Sequence, residues 1–246
     1  MRMVKITGDY YTNRGGRKEN EDSCLLLFDK EKGICALVAD GLGYHGGGAA
    51  ASQKAREIIY KSFMGERIER PEEFNIWFQE ANQEVLRLQT TEIQMKTTLV
   101  VLLIHKHKAM WAHIGDSRLY HFVNGELVEQ TFDHSVSQMA VLRGDITESE
   151  IRGHVDRNRL LRAIGREDTI KIDTSVATIE EGDWHAFLLC TDGFWEYVLE
   201  KEMEKDLRKA NGPRDWIKRM VKRIKSRTIF KKNDNNTAVA VICRRD

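Results

Sequence analysis

The sequence predicts a β-rich α+β fold in which mostly antiparallel strands form the core and helices pack outside. Two observations support this prediction. Short apolar or β-branched runs recur along the 246 residues, and four of them follow one another between residues 97 and 131 with no room for helical crossovers. Helical apolar spacing is confined to other stretches, which therefore belong on the outer faces of the sheets.

Each predicted strand is a short run of apolar or β-branched residues that ends at a turn signal. The strongest turn signal is Asn124-Gly125, because both residues readily take the positive φ angles of a tight hairpin. The predicted strands cover residues 3–11, 24–28, 34–39, 97–105, 109–114, 118–123, 126–131, 184–191 and 237–243.

Three stretches show the apolar spacing of amphipathic helices. Residues 46–64 and 72–90 precede the strand meander, and Pro71 stands at the first turn of the second helix. A third helix, around residues 216–224, carries Lys and Arg opposite its apolar stripe. Residues 135–153 are polar and helical and are predicted to form a surface excursion, after which an apolar run resumes at residues 160–164.

The composition is that of a soluble globular protein and excludes several classes. A formal net charge of +1 gives no bulk attraction to nucleic acid. No run approaches the ~20 apolar residues that span a bilayer, and the first residues do not form a signal peptide. The four cysteines lie in apolar runs without a C-x-x-C pair, which favours the cytosol. We therefore expect a cytoplasmic protein that binds neither nucleic acid nor a membrane.

Four aspartates, each closing or following an apolar run, are spread along the chain. They are Asp22, Asp40, Asp192 and Asp234. A strand that ends in a carboxylate places it at the sheet edge, and four such ends together would need cations. Carboxylates without His/Cys spacing favour Mg²⁺ or Mn²⁺ over zinc. The pattern predicts a metal-dependent hydrolase, and because both ends of the chain must meet in one site, one domain is expected.

A competing pattern is the G-x-G-x-x-G of Gly41, Gly43 and Gly46, which follows a strand and opens a helix as in a dinucleotide fingerprint. Against it, Asp40 would aim a carboxylate at the pyrophosphate, and no second strand ends in an acidic residue ~20 positions later. The preferred interpretation is that Asp40 bridges two metals and that the Gly41 carbonyl, approachable because glycine lacks Cβ, supplies another ligand.

Six short motifs then occur in a recognisable order over nearly the whole chain. They are Arg17-x-x-x-Glu21-Asp22, Asp40-Gly41-x-Gly43, Thr97-Thr98, Gly115-Asp116-Ser117-Arg118, Cys190-Thr191-Asp192-Gly193 and Asp234-Asn235. This order resembles the PPM (PP2C-like) metal-dependent serine/threonine protein phosphatases. DHSVSQM, LRGDITESEIRGH and NRLLRAIG are similar to the flap of the bacterial members, here around residues 134–160. The compact length and LLCTDGFWEYV are similar to stand-alone phosphatases associated with type VI secretion.

The resemblance implies a four-layer α-β-β-α sandwich of two antiparallel sheets flanked by helices, as one phosphatase domain over residues 1–246. It implies hydrolysis of phosphoserine and phosphothreonine by a two-metal-activated water. The expected partners are phosphorylated Ser/Thr proteins and a cognate bacterial Ser/Thr kinase, and the expected state is a monomer. The competing interpretation is a catalytically weak phosphatase-fold sensor or scaffold that binds a phosphorylated partner. Loss of activity would normally replace a ligand aspartate, and here every core ligand position is filled, which favours the enzyme.

The same resemblance assigns metal ligands by position. Two core Mn²⁺ or Mg²⁺ ions would be held by Asp40, the Gly41 carbonyl, Asp192 and Asp234, with Glu21 and Asp22 in or next to the ligand set of one ion. Asp116 resembles the ligand of a third, weaker ion, and it could equally be a turn-former whose side chain bonds the next amides.

Two further residues match catalytic roles. Arg17 matches the arginine that grips the substrate phosphate, which suits its planar fork of N–H donors; the alternative is a solvated loop cation. His45 lies in the glycine-rich loop and is the candidate general acid, although Tyr44 stands where bacterial relatives usually have glycine and its larger ring would shift the loop. The other histidines are interpreted as strand-face or surface residues.

Overall fold

The computed structural model describes residues 4–43, 47–65 and 68–245. Two antiparallel sheets face each other. The first sheet contains, in spatial order, β1 (Val4–Asn13), β11 (Asn236–Arg245), β10 (Trp184–Cys190), β7 (Arg118–Val123) and β8 (Glu126–Gln130). The first and last strands of the chain are therefore direct neighbours.

The second sheet contains, in order, β2 (Asp22–Asp29), β3 (Gly33–Gly43), β5 (Leu99–His105), β6 (Lys108–Ile114) and β9 (Asp173–Thr178). A short strand, β4 (Met95–Thr97), pairs with the end of β3. The pairs of this sheet are likewise antiparallel, as predicted from the meander.

Helices cover the outer face of each sheet. The second sheet carries α1 (Gly47–Gly65) and α2 (Phe74–Leu88), whereas α4 (Asp192–Trp195), α5 (Glu200–Arg208) and α6 (Pro213–Arg227) lie on the first. Along the chain, α3 (Val136–Arg143) and a 3₁₀ turn at Glu148–Gly153 follow β8 and precede β9. A second 3₁₀ turn, Pro71–Glu73, opens α2.

Alternation along the strands produces these layers, because successive side chains of a strand point to opposite faces. In β3, Cys35 and Leu37 pack against α1 and α2, whereas Ala36 and Val38 face the other sheet. In β11 the inward residues are Val239, Val241 and Cys243, and the outward ones are Ala238 and Ala240. One apolar layer lies between the two sheets, and one lies between each sheet and the helices that cover it. This arrangement confirms the predicted α-β-β-α sandwich.

Besides the short elements β4 and α4, two longer elements were missed in the sequence. β9 is an edge strand with mostly exposed side chains, so it lacks the apolar run that marks a buried strand. α5 is highly charged and buries only Met203, Asp206 and Leu207. The predicted strand 97–105 is interrupted at Thr98, and the run 160–164 forms only isolated bridges, Ser135 with Leu160 and Thr97 with Ile164.

Within the described residues, every helix is too short or too polar to traverse a lipid bilayer.

Candidate metal centre

The predicted carboxylates lie where strands of the two sheets end side by side. Asp22 and Asp40 stand directly opposite each other in the β2–β3 register. Thr191, immediately after β10, donates its hydroxyl to Asp22 Oδ2 at 2.9 Å and so links the first sheet to the second. The Asn235 side chain, immediately before β11, accepts the Glu21 N–H at 2.8 Å. Loops that lie far apart in sequence thus meet at one edge of the sandwich.

The carboxylates influence one another's ionisation. Burial raises the pKa of Asp40 well above its usual range, and the charges of Asp22 and Asp192 raise it further. Burial likewise raises the pKa of Asp22, to about 7, although hydrogen bonds from Thr191 and Thr237 oppose the rise. Burial and then the charge of Asp234 raise the pKa of Asp192. Without cations, this site carries repelling charges that favour protonation.

Two buried oxygen atoms show that the site fits a divalent metal. Asp22 Oδ1 and Asp192 Oδ1 are inaccessible to solvent and have no hydrogen-bond partner within the described part of the chain. Burying a carboxylate oxygen without a hydrogen-bond partner is unfavourable in free energy, and a bound cation would offset this penalty. Because the surrounding donors are carboxylate oxygens, the preferred ions are hard ones such as Mg²⁺ or Mn²⁺.

Glycines bring the start of α1 against the site. A Cβ added to Gly41 would lie 2.1 Å from the Gly48 carbonyl oxygen, and a Cβ on Gly48 would lie 2.7 Å from Glu21 Oε1. Burial raises the pKa of Glu21, and a hydrogen bond from the Ala49 N–H at the start of α1 opposes this rise. The structure therefore places Glu21 and Gly41 next to each other, where the positive end of the helix dipole favours a carboxylate.

Arg17 lies at the rim of the cluster. Its Nη2 donates to Asp234 Oδ2 at 2.5 Å, while 61% of its side chain is exposed. The loop that carries it is held by Asn235, whose Nδ2 donates to the carbonyl oxygens of Arg14 and Glu19 at 2.8 and 2.9 Å. Asn235 therefore fixes Arg17 beside Asp234 and leaves the guanidinium accessible to a ligand.

Asp116 is buried in the same cluster. Burial raises its pKa well above the usual range, and the charge of Asp192 adds to the effect. Its carbonyl oxygen accepts the indole N–H of Trp195 at 2.9 Å, and Trp195 is the last residue of α4, the helical turn that begins at Asp192. This location brings the carboxylate close enough to interact with the other ligand candidates.

Hydroxyl groups connect the Asp116 turn to Asp40. The Ser117 and Thr98 hydroxyls lie 2.7 Å apart, and Thr98 Oγ1 accepts the Asp40 N–H at 2.9 Å. Thr97 Oγ1 donates to the Asp40 carbonyl oxygen, also at 2.9 Å. The interruption of the predicted strand at Thr98 therefore serves to hold the Asp40 backbone.

Sequence reasoning missed Arg157. Its guanidinium lies 3.0 Å from Glu196, and its positive charge opposes the raised pKa of Asp192. Arg157 Nε is buried without a hydrogen-bond partner among the described residues. Because Arg157 is one of several arginines in residues 152–166, no local pattern distinguishes it.

A second group of possible ligands, His113, His134 and Asp173, lies beside the Asp116 turn. The two buried rings are stacked with centroids 4.6 Å apart. The Gly115 N–H donates to His134 Nδ1 at 3.2 Å, so the ring proton belongs on Nε2, which lies 3.2 Å from Asp173 Oδ2. A metal at Nε2 would move that proton to Nδ1, facing the Gly115 N–H. The hydrogen bonds thus favour a structural role.

That structural role is to hold Gly115. The His134 N–H donates to the Gly115 carbonyl oxygen at 2.8 Å, so His134 bonds both polar groups of the residue that precedes Asp116. Burial lowers the pKa of His134 to about 4, and the ring is therefore neutral at pH 7. His113 lies on the strand β6, one of the two predicted alternatives, whereas His134 is buried outside any strand and so differs from both. His45, the predicted general acid, lies outside the described residues.

The chain was compared with known proteins. The family model "Protein phosphatase 2C" matches residues 12–234. A serine/threonine phosphatase, stp, of Listeria innocua is 32% identical over 209 residues, which cover 81% of this chain and 82% of the relative.

Two solved structures share the fold over almost their full length. The catalytic domain of the phosphatase PstP, solved with two manganese ions, is 24% identical with a TM-score of 0.82, covering 98% of this chain and 99% of the other. PppA of Pseudomonas aeruginosa, described as a key regulatory component of T6SS, is 25% identical with a TM-score of 0.79, covering 98% and 99%.

Proposed function

Given that the chain belongs to the protein phosphatase 2C family and is a serine/threonine phosphatase, we propose that it hydrolyses phosphoserine and phosphothreonine with two divalent metal ions. The observation that carries this proposal is the pair of buried, unpartnered oxygens Asp22 Oδ1 and Asp192 Oδ1 within a cluster of repelling carboxylates. The family is metal-dependent, which supports a metal at this position. A sensor or scaffold without activity is not favoured.

The proposed core metal ligands are Asp40, the Gly41 carbonyl, Asp192 and Asp234, with Glu21 and Asp22 in or beside the ligand set and Asp116 as the ligand of a third ion. Bound Mn²⁺ or Mg²⁺ would supply positive charge and a nucleophilic water at neutral pH. The chain's part is to hold the ligands rigidly: Thr97 and Thr98 fix Asp40, and Thr191 fixes Asp22.

Arg17 is the proposed phosphate-binding residue. Its exposed guanidinium stands beside Asp234, where two of its N–H groups can donate to the oxygens of an incoming phosphate. Such donors stabilise the charge that these oxygens carry during displacement. His45 is proposed, from the sequence, to protonate the departing serine or threonine oxygen.

The remaining features of the proposal follow from the sequence. Residues 1–246 would form one phosphatase domain with a flap around residues 134–160, since strands from both ends of the chain contribute to the site. The substrates would be proteins phosphorylated by a cognate Ser/Thr kinase, and the enzyme would act as a cytoplasmic monomer.

The test is metal-dependent hydrolysis of p-nitrophenyl phosphate and of phospho-Ser/Thr peptides. Wild-type protein with Mn²⁺ or Mg²⁺ should hydrolyse both, and excess EDTA should abolish turnover. Asp192→Asn should lose activity while the metal-free protein keeps its stability or gains some, because one repelling charge is removed. Asp168→Asn, an exposed control, should behave as wild type. Full turnover in EDTA, or in Asp192→Asn at saturating Mn²⁺, would reject the assignment.

A further inference from the structure

The loop between α6 and β11 carries an unusually exposed apolar pair. Ile229 is 67% exposed and Phe230 is 98% exposed, and the two residues that follow are exposed lysines. Single exposed apolar residues are common on soluble proteins, but a large aromatic side chain that contacts almost nothing, next to an exposed isoleucine, is less so. We call residues 229–232 the tip loop.

The tip loop stands directly beside the proposed catalytic site. The Gly16 N–H donates to the Asn233 carbonyl oxygen at 2.9 Å, and a Cβ on Gly16 would lie 2.9 Å from Lys232 Cα. The loop that carries Arg17 is thereby packed against the tip loop. On its other side, the positive charge of Lys231 acts on Glu196, the partner of Arg157.

The tip loop is within reach of a peptide that presents its phosphate to the site. Phe230 precedes Asp234 by four residues, so their Cα atoms are at most ~14 Å apart, given ~3.6 Å per extended residue. An extended substrate covers that distance in about four residues. Side chains two to four positions from a phosphoserine or phosphothreonine could therefore contact Phe230.

Charge indicates which side chains fit. Lys231 and Lys232 are exposed and form no ion pair within the described residues, and Arg14 and Lys18 on the neighbouring loop are exposed as well. A polypeptide crossing this rim meets an apolar tip bordered by an excess of positive charge, because these four exposed basic residues outnumber the one exposed acid of the neighbouring loop, Glu19. Its complement is a bulky apolar side chain accompanied by an acidic one.

We propose that the tip loop is a substrate-recognition element, which selects phosphoprotein segments carrying a bulky apolar residue and an acidic residue close to the phosphorylated serine or threonine. This inference rests on the proposed phosphatase function. It adds a basis for discriminating among substrates, which the metal centre lacks because it contacts only the phosphate.

The experiment compares specificity constants for a phosphopeptide with acidic and apolar flanks, a phosphopeptide with basic and polar flanks, and p-nitrophenyl phosphate. The ratio of peptide to p-nitrophenyl phosphate kcat/KM isolates flank recognition from chemistry. Phe230→Ser should lower this ratio about tenfold for the acidic-apolar peptide, as truncation of a central contact residue does. The double variant Lys231→Glu/Lys232→Glu should reverse the preference between the two peptides.

Phe28→Ser and Lys30→Glu are the matched controls, because they alter an exposed aromatic and an exposed lysine at the opposite end of β2. Both controls should leave all three specificity constants unchanged, and melting temperatures should show that every variant is folded.

An unchanged ratio in Phe230→Ser would overturn the proposal. The proposal would also be overturned if sedimentation shows that Phe230→Ser self-associates less than the wild type while the ratio is unchanged. The tip loop would then contact a second copy of the chain and not the substrate. If the wild-type protein with Mn²⁺ hydrolyses none of the three substrates, the phosphatase function itself fails. Hydrolysis of p-nitrophenyl phosphate and both peptides without discrimination would instead reject the tip-loop inference alone.

Discussion

Arg17 is the residue at which the carboxylate cluster meets solvent. It is fixed by the Asn235 contacts to its loop and paired with Asp234, yet more than half of its side chain is accessible. Arg17 is either a solvated loop cation or a phosphate-binding group, and these two interpretations predict different effects of substituting it.

Arg17→Ala should lower kcat/KM by about 10–100-fold, the ~1.5–3 kcal/mol of a charged hydrogen bond. Arg17→Lys should rescue activity only partly, since a point charge cannot make two parallel N–H bonds to a phosphate. Mn²⁺ affinity, measured by calorimetry, should be retained or rise, because Asp234 loses a competing partner. Arg87→Ala, on the remote α2, is the control. Unchanged kcat/KM, or a large loss of Mn²⁺ binding, would contradict the phosphate role.

His134 offers a second comparison at the scale of one residue. His134→Asn keeps an acceptor near the position of Nδ1, whereas His134→Phe fills the ring volume and leaves the Gly115 N–H unpaired. The Phe variant should lose about 1–3 kcal/mol of unfolding free energy. It should also lose on the order of tenfold in kcat, because the Asp116 turn shifts. Asn should restore most of kcat. Equal kcat values for the two variants would show that the Gly115 contact does not position the site.

At the scale of elements, the close approach of α1 to β3 determines the shape of the site. Gly48→Ala places a Cβ 2.7 Å from Glu21 Oε1 and from the Gly41 carbonyl oxygen, so either the helix or the strand must move. We expect a loss of about 1–3 kcal/mol in unfolding free energy, measured by urea denaturation, and weaker Mn²⁺ binding.

Gly65→Ala at the other end of α1 is the matched control, since an added Cβ meets no atom of the described residues within 4 Å. It should leave stability unchanged or raise it by up to about 1 kcal/mol. If both alanine variants behave alike, the close approach of α1 to β3 is not needed for the site.

At the scale of the whole molecule, folding brings residues from both ends of the chain into one site, where their carboxylates repel one another. The folded pKa of Asp22, about 7, exceeds its ordinary value of 3.8, so the folded state binds more protons between these values. The contribution of Asp22 to metal-free stability is therefore present below about pH 4 and is lost as the pH rises towards 7.

Mn²⁺ requires deprotonated carboxylates, so it should raise the melting temperature little at pH 5 and progressively more up to pH 8. The measurement is the difference in melting temperature between Mn²⁺ and EDTA across this range. Asp22→Asn should flatten the pH dependence of the metal-free protein. If the difference in melting temperature between Mn²⁺ and EDTA does not vary with pH, the carboxylate cluster does not couple metal binding to folding.

The sequence alone predicted the layers of the fold, which the structure confirms, and the chemistry of the candidate site. Apolar alternation between residues 97 and 131 predicted antiparallel strands, and aspartates at strand ends predicted a cation site. These features are local, because a side chain's direction on a strand depends only on its position in the two-residue repeat. The elements β9 and α5 were not predictable at all, since each buries too little apolar surface to leave a pattern.

Only the tertiary structure decided which distant groups share the site. It buried Asp116 beside Asp192, brought Arg157 to Glu196, and set His134 against Gly115. Ionisation and hydrogen bonding depend on burial and on distances of a few ångströms between residues that are tens of positions apart in sequence. No local periodicity of the sequence records those distances, so the sequence predicted the types of ligand, while the packing of the two sheets determined which residues lie beside them.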